Sequence, residues 1–128
     1  MGKLRIVVQQ SIDRGVGFIH KGVGLDGKTL AMVFFVQSST RIVYYTAVCS
    51  PEGYRVSAHF VIVDDLIQKL SESNMVLDFE GSRIEGIARF FSGFGAIVKP
   101  YASIRPEISF SASLICKQIW HLITKYGG

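Results

Sequence analysis

Arg41-Ile42-Val43-Tyr44-Tyr45-Thr46-Ala47-Val48-Cys49 and Met75-Val76-Leu77-Asp78-Phe79 bracket the part of the sequence that decides the fold. Both runs are short and apolar, and the first is rich in the β-branched and aromatic residues that favour strands. Between them the hydrophobic period changes. Val56, Phe60, Val63, Ile67 and Leu70 recur at spacings of four and three, the stripe of an amphipathic helix, with Asp64, Asp65, Gln68 and Lys69 on its wet side. Ser50-Pro51-Glu52-Gly53 precedes this helix and Ser71-Glu72-Ser73-Asn74 ends it. A strand reached through one crossover helix lies parallel to the strand before it, so residues 75–79 are expected beside Arg41–Cys49 in parallel register.

Upstream, residues 4–8, 16–23 and 29–37 are β-prone runs, and Leu25-Asp26-Gly27-Lys28 supplies a turn between the last two. Ser38-Ser39-Thr40 turns the chain into Arg41–Cys49, which completes an antiparallel meander. Gly15, Gly17, Gly22 and Gly24 match neither a dinucleotide fingerprint nor a P-loop, and read as a strand with bulges. Downstream, Ile84, Ile87, Ala88 and Phe91 stand at i, i+3, i+4 and i+7 of a second helix that Gly93 and Gly95 close. Residues 97–104 read as a strand with Pro100 at an edge or bulge. Residues 113–126 read as a terminal helix capped by Ser113, with Ile115, Ile119, Leu122 and Tyr126 on one face.

A chain of 128 residues fits one domain. Apolar residues at 48% against 19% charged call for a buried sheet, or a surface that meets another domain or subunit. No apolar run approaches the roughly 20 residues of a membrane span, and the start lacks the apolar core of a signal peptide. A cytoplasmic, membrane-free location is therefore expected. The net charge of +4 is scattered rather than clustered with aromatics, which argues against nucleic acid and leaves an acidic small ligand compatible. Cys49 and Cys116 form no Cys-x-x-Cys pair and read as ordinary buried thiols. His20, His59 and His121 have no metal-ligand spacing, so no metal is expected, and His59 reads as a packed or exposed helical histidine.

Chemistry has two candidate locations. Residues 50–57 enter the crossover helix, whose first N–H groups and dipole can hold an anion, with Arg55 adding charge; a simple capped turn is the competing reading. Asp78 and Glu80 stand two apart on a strand and share one face, so one ligand can meet both. A turn-capping Asp and a solvated Glu are the plainer roles for the same pair.

Leu77-Asp78-Phe79-Glu80-Gly81-Ser82, Gly86-Ile87-Ala88-Arg89-Phe90-Phe91 and Gly93-Phe94-Gly95-Ala96 together resemble the C-terminal part of acyl-CoA N-acyltransferases. The nearest likeness is to the FemAB-like branch of the GNAT superfamily. It covers residues 15–104 and is sharp over 77–96. It implies an α+β fold with a mixed, mostly antiparallel sheet flanked by helices, here without the family's usual N-terminal strand and helices. It also implies direct attack of an amine acceptor on the thioester of acetyl-CoA or another acyl-CoA. Residues 46–49 would then offer an oxyanion donor, with Thr46 and Val48 on the cofactor. Gly53, Tyr54, Arg55, Val56, Ser57 and Ala58 would cradle the pyrophosphate. Asp78 or Glu80 would accept the amine proton, directly or through water.

Three departures accompany the likeness. Of the pyrophosphate-loop positions held by Gly53, Val56 and Ala58, only Ala58 fits the family's pattern. Phe91 stands where many members carry the tyrosine that protonates the thiolate, so Tyr101 or water would replace it. Residues 1–14 cannot encode the elements that wall the acceptor site. Phe91, the missing wall and the high apolar content favour an alternative expectation. This is a non-catalytic half-domain that forms a homodimer or acts as one lobe of a larger FemAB-like protein with a further N-terminal lobe.

Overall fold

In the computed structural model, which describes residues 2–102, the meander forms three antiparallel strands: β1 (Gly17–Val23), β2 (Thr29–Gln37) and β3 (Arg41–Cys49). Gly27 takes the left-handed conformation that lets the β1–β2 turn close, and its N–H donates to the Gly24 carbonyl at 2.9 Å. The crossover after β3 contains two helices, α2 (Pro51–Arg55) and α3 (Ala58–Leu70). It leads to β4 (Val76–Asp78), which pairs parallel to β3 as expected. The result is α+β, a four-stranded mixed sheet in the order β1-β2-β3-β4 flanked by helices. A further helix, α4 (Glu85–Ser92), ends near the left-handed Gly95.

The core lies between α3 and one face of the sheet. Ala58, Ile62 and Leu66 of α3 meet Ala31, Val33 and Phe35 of β2 and Ile42 of β3, all at most 7% exposed. The alternating residues of β2 carry this face because side chains on a strand point to opposite sides in turn. Phe34 therefore points to the other face, where an alanine carbon on Gly17 would meet its ring at 3.0 Å and Ser11 at 2.7 Å.

Ser11 belongs to a helix where a strand was expected. Residues 4–8 lie inside α1 (Gly2–Asp13). The β-branched run is overridden by its C-terminal stop. Left-handed Gly15 donates to Ile12 at 2.9 Å and Val16 donates to Ser11 at 3.0 Å, the paired bonds of a Schellman motif. The crossover helix also differs from its expected stripe. Ser57, at φ 55°, breaks the chain, so Val56 falls outside α3 and is 56% exposed. The buried residues are Ala58, Ile62, Val63 and Leu66, one position off much of the expected face. Residues 97–102 form no strand. Ile97 and Val98 are exposed, and Pro100 has no N–H to give a ladder. Residues 103–104 of that expected strand, and the expected tail helix at 113–126, lie outside the described residues.

Candidate functional site

β3 and β4 pair at only three positions, Arg41 with Val76, Ile42 with Leu77 and Val43 with Asp78. Beyond them the two strands part. Asp78 turns the chain away: its Oδ1 accepts the Glu80 N–H at 2.8 Å, and Glu80 and Gly81 are both left-handed. Its other carboxylate oxygen pairs with the Arg41 guanidinium, which fastens the two strands at the point of divergence. α4 then returns across the gap. Phe91 is 7% exposed, stacked on Phe79 at 4.5 Å and edge-on to Tyr44 at 5.4 Å.

The gap is a cleft of about 450 Å³. Its floor is β3 from Tyr44 to Cys49, apart from Tyr45; Tyr54 of α2 and His59 of α3 form one wall, and α4 the other through Gly86, Ile87, Phe90 and Phe91. A bulge shapes the floor. Phe34 pairs with Thr46 and Phe35 with Tyr44, which leaves Tyr45 as an extra residue. Tyr44, Ala47 and Cys49 consequently all pack towards the α3 core, although the first differs in parity from the other two. Burial pushes the Tyr44 phenol above its ordinary pKa, so it stays protonated.

Backbone direction follows from the same register. Ser50 N–H donates to the Leu30 carbonyl of the neighbouring strand at 2.8 Å. By the alternation of an antiparallel ladder, Val48 and Thr46 also direct their backbone groups to β2. Ala47 and Cys49 direct theirs the other way, into the cleft. This is a short open strand edge inside an apolar, aromatic enclosure.

His59 stands at the start of α3. Its ring is edge-on to Tyr54 at 5.6 Å and 4.6 Å from Phe90. Nδ1 is buried with no hydrogen-bond partner, and burial holds the imidazole below its ordinary pKa of 6.5. The two helix starts beside it differ. Ser50 caps α2 by accepting the Gly53 N–H at 2.9 Å, whereas Ser57 gives α3 no side-chain cap. The Ser57 carbonyl accepts the Phe60 N–H at 3.0 Å, so of the first turn of α3 the N–H groups of Ala58 and His59 are the ones left without an acceptor.

Among the expected site residues, Thr46, Val48 and Tyr54 line the cleft, although the inward N–H groups are those of Ala47 and Cys49. Gly53 is buried with its N–H committed to Ser50. Arg55, Val56 and Ser57 are exposed at the α2–α3 junction, and Ala58 is in the core. Asp78 is engaged by Arg41 and Glu80, and neither it nor the exposed Glu80 lines the cleft. Tyr101 is 83% exposed. Ala47 and Cys49 fall within the expected stretch 46–49 and line the cleft, whereas sequence reasoning missed Gly86, Ile87 and Phe90 as lining residues and treated His59 as an ordinary helical side chain. The only signal for His59 was its position next to the helix start.

Among the described residues no three His, Cys, Asp or Glu side chains cluster in a way that could hold a metal ion. None of the described helices is long and apolar enough to cross a membrane. Neither a protein-family model nor a curated protein matches the chain.

Proposed function

We propose that the cleft binds an acyl-CoA and that the chain is a GNAT-like, FemAB-like N-acyltransferase domain acting on an amine. The observation that carries this reading is the parting of β3 from β4, with the N–H groups of Ala47 and Cys49 facing an apolar cleft. In direct transfer the amine attacks the thioester carbonyl, and negative charge develops on the carbonyl oxygen. A fixed backbone N–H in a water-poor enclosure stabilises that charge at no cost of reorganisation. The uncapped first turn of α3 and the exposed Arg55 suit the pyrophosphate of coenzyme A, whose charge favours a helix N-terminus. The aromatic wall suits the apolar thioester end.

A second reading, a half-domain that holds the donor or a partner lobe without catalysis, has its own support. Phe91 is buried between Phe79 and Tyr44 and has no hydroxyl with which to protonate a thiolate.

Thermal unfolding with acetyl-CoA, with coenzyme A and without ligand tests the binding claim. A ligand at a hundred times its Kd adds about 2.7 kcal/mol, a rise of several degrees. No rise with either ligand at saturating concentration removes the acyl-CoA reading. A rise without release of free thiol in the presence of amines favours the half-domain. Arg55→Ala is expected to weaken coenzyme A binding about threefold, as loss of one exposed charge contact does, and to leave pantetheine binding unchanged. Titration calorimetry with both ligands measures the difference, and equal affinities for wild type and variant would put the phosphate site elsewhere.

A further inference from the structure

The whole of the net charge of +4 belongs to residues 1–49, which carry six basic side chains against two acidic, whereas residues 50–128 balance. Of those six, Lys28 pairs with Asp26 and Arg41 with Asp78. Lys3, Arg5, Arg14 and Lys21 remain, and among the described residues none of them has an acidic partner within ion-pair distance. All four are exposed, on α1, just after it or on β1.

The same elements leave apolar side chains in the open. α1 is held at its C-terminal end, where Ser11 lies against Gly17 of β1, yet it buries none of its residues. Helical spacing puts Leu4, Val7, Val8 and Ser11 on one face. The sheet extends this apolar side. Phe34 points towards α1 and meets Tyr45 edge-on at 5.8 Å. Ile19 points the same way, because Phe18 and His20 on either side of it pack on Phe35 across the sheet. Leu4, Val7, Ile12, Ile19 and Tyr45 are each between 38% and 43% exposed. An antiparallel sheet with one face in water normally places polar residues there. Here the charges stand at the border instead. On α1, Lys3 and Arg14 flank the apolar face on one side and Arg5 on the other. Asp13 is opposite it and accepts from Gln9 at 2.9 Å. Lys21 shares the side of Ile19 on β1.

We infer that α1 and the adjoining face of the sheet lie on an anionic lipid bilayer, with aliphatic side chains of α1 in the headgroup boundary and the four cations on acidic headgroups. This does not rest on the acyl-CoA reading. A helix lying in the interface does not need the roughly 20 apolar residues of a span, so the absence of a spanning helix does not bear on it. A second copy of the chain would set these cations against their equals, with only Asp13 to offset them. An acidic protein matches the charge, but protein interfaces centre on aromatic residues rather than on a helix of Leu, Ile and Val.

Co-sedimentation of the full chain with phosphatidylcholine vesicles, with and without one-third phosphatidylserine, tests the inference. Binding to the anionic vesicles is expected to be at least about tenfold tighter and to weaken as salt rises. Each Lys or Arg at such a surface strengthens binding about fivefold, so Arg5→Gln with Arg14→Gln should weaken it about twenty-five-fold. Leu4→Ser with Val7→Ser should weaken it about tenfold by removing apolar area, and should leave Tm unchanged because neither residue is buried. Lys69→Gln removes the same charge from α3, across the sheet, and should have no effect. Equal loss with Lys69→Gln would assign the attraction to net charge and overturn the inference, as would equal binding to both vesicles or to neither. Binding to soluble polyglutamate that matches the anionic vesicles and ignores Leu4 and Val7 would put an acidic protein in place of the bilayer. A chain that ignores vesicles, is dimeric in sedimentation equilibrium and becomes monomeric with Leu4→Ser and Val7→Ser would put a second copy there.

Discussion

Replacing Phe35 by alanine is expected to lower folding stability by about 4 kcal/mol, the upper part of the range for deleting a buried aromatic ring. Phe35 is 0% exposed in the middle of the sheet. Its ring lies 5.3 Å from Phe18, 5.7 Å from His20 and 5.9 Å from Tyr44, so it joins all three antiparallel strands on the α3 face. The cavity left by its loss cannot close readily, because the neighbouring strands are held in register by their ladders. For a domain of this size the loss corresponds to a fall in Tm of roughly 15 °C or more. Phe34→Ala is the informative contrast. Phe34 is also buried, but it packs on the face of α1, a helix with no buried residue of its own, and that face can collapse onto the space. Urea unfolding of both variants measures the difference. A cost below about 1.5 kcal/mol for Phe35→Ala would mean that the core is centred elsewhere.

The parts of the fold that were legible in the sequence are those where local pattern and tertiary demand agree. Alternating apolar residues in 29–37 and a crossover of helical period made the antiparallel pair and the parallel β4 readable. Leu4-Arg5-Ile6-Val7-Val8 misled because its β-branched composition outweighs a helix decided by the stop at Gly15, whose paired bonds exist only once the turn has formed. The register of α3 was misjudged for a similar reason. Ser57 in a left-handed conformation divides the crossover, and serine carries no local signal for that. The bulge at Tyr45 was silent as well. It arises from pairing between strands, yet it decides which residues of β3 face the cleft. The cleft itself was foreshadowed only by residues 46–49, expected to face a cofactor. Its lining from α4 depends on the turn at Asp78, Glu80 and Gly81, which folds that helix back over β3. Asp78 and Glu80 were conspicuous as carboxylates, whereas their visible work is to fasten and redirect the chain.

Gly53→Ala is expected to be nearly as damaging as loss of Phe35, and by the opposite mechanism. A carbon placed on Gly53 would lie 2.2 Å from the Leu30 carbonyl oxygen and 2.8 Å from Cys49 Sγ. The first obstacle is backbone within the sheet, so no side-chain rotation relieves it. α2 would have to lift from β2 and β3, which would strain the Ser50 cap and the bond from Ser50 N–H to Leu30. Overpacking of this kind costs about 3 kcal/mol, or roughly 10 °C or more in Tm. The same substitution at Gly86 has the opposite expected sign. Gly86 is inside α4 with nothing within 4 Å of the added carbon, and alanine is the better helix former by nearly 1 kcal/mol. Thermal unfolding of the two variants compares them directly, and equal effects would contradict the close approach of α2 to the sheet. The consequence reaches the site, because α2 carries Tyr54 and sets the entry to α3, where His59 stands. Ligand binding in a folded fraction of Gly53→Ala should therefore weaken more than its loss of stability alone explains. The Ala47 and Cys49 amides, on the strand against which α2 is seated, are where amide NMR should register the displacement first.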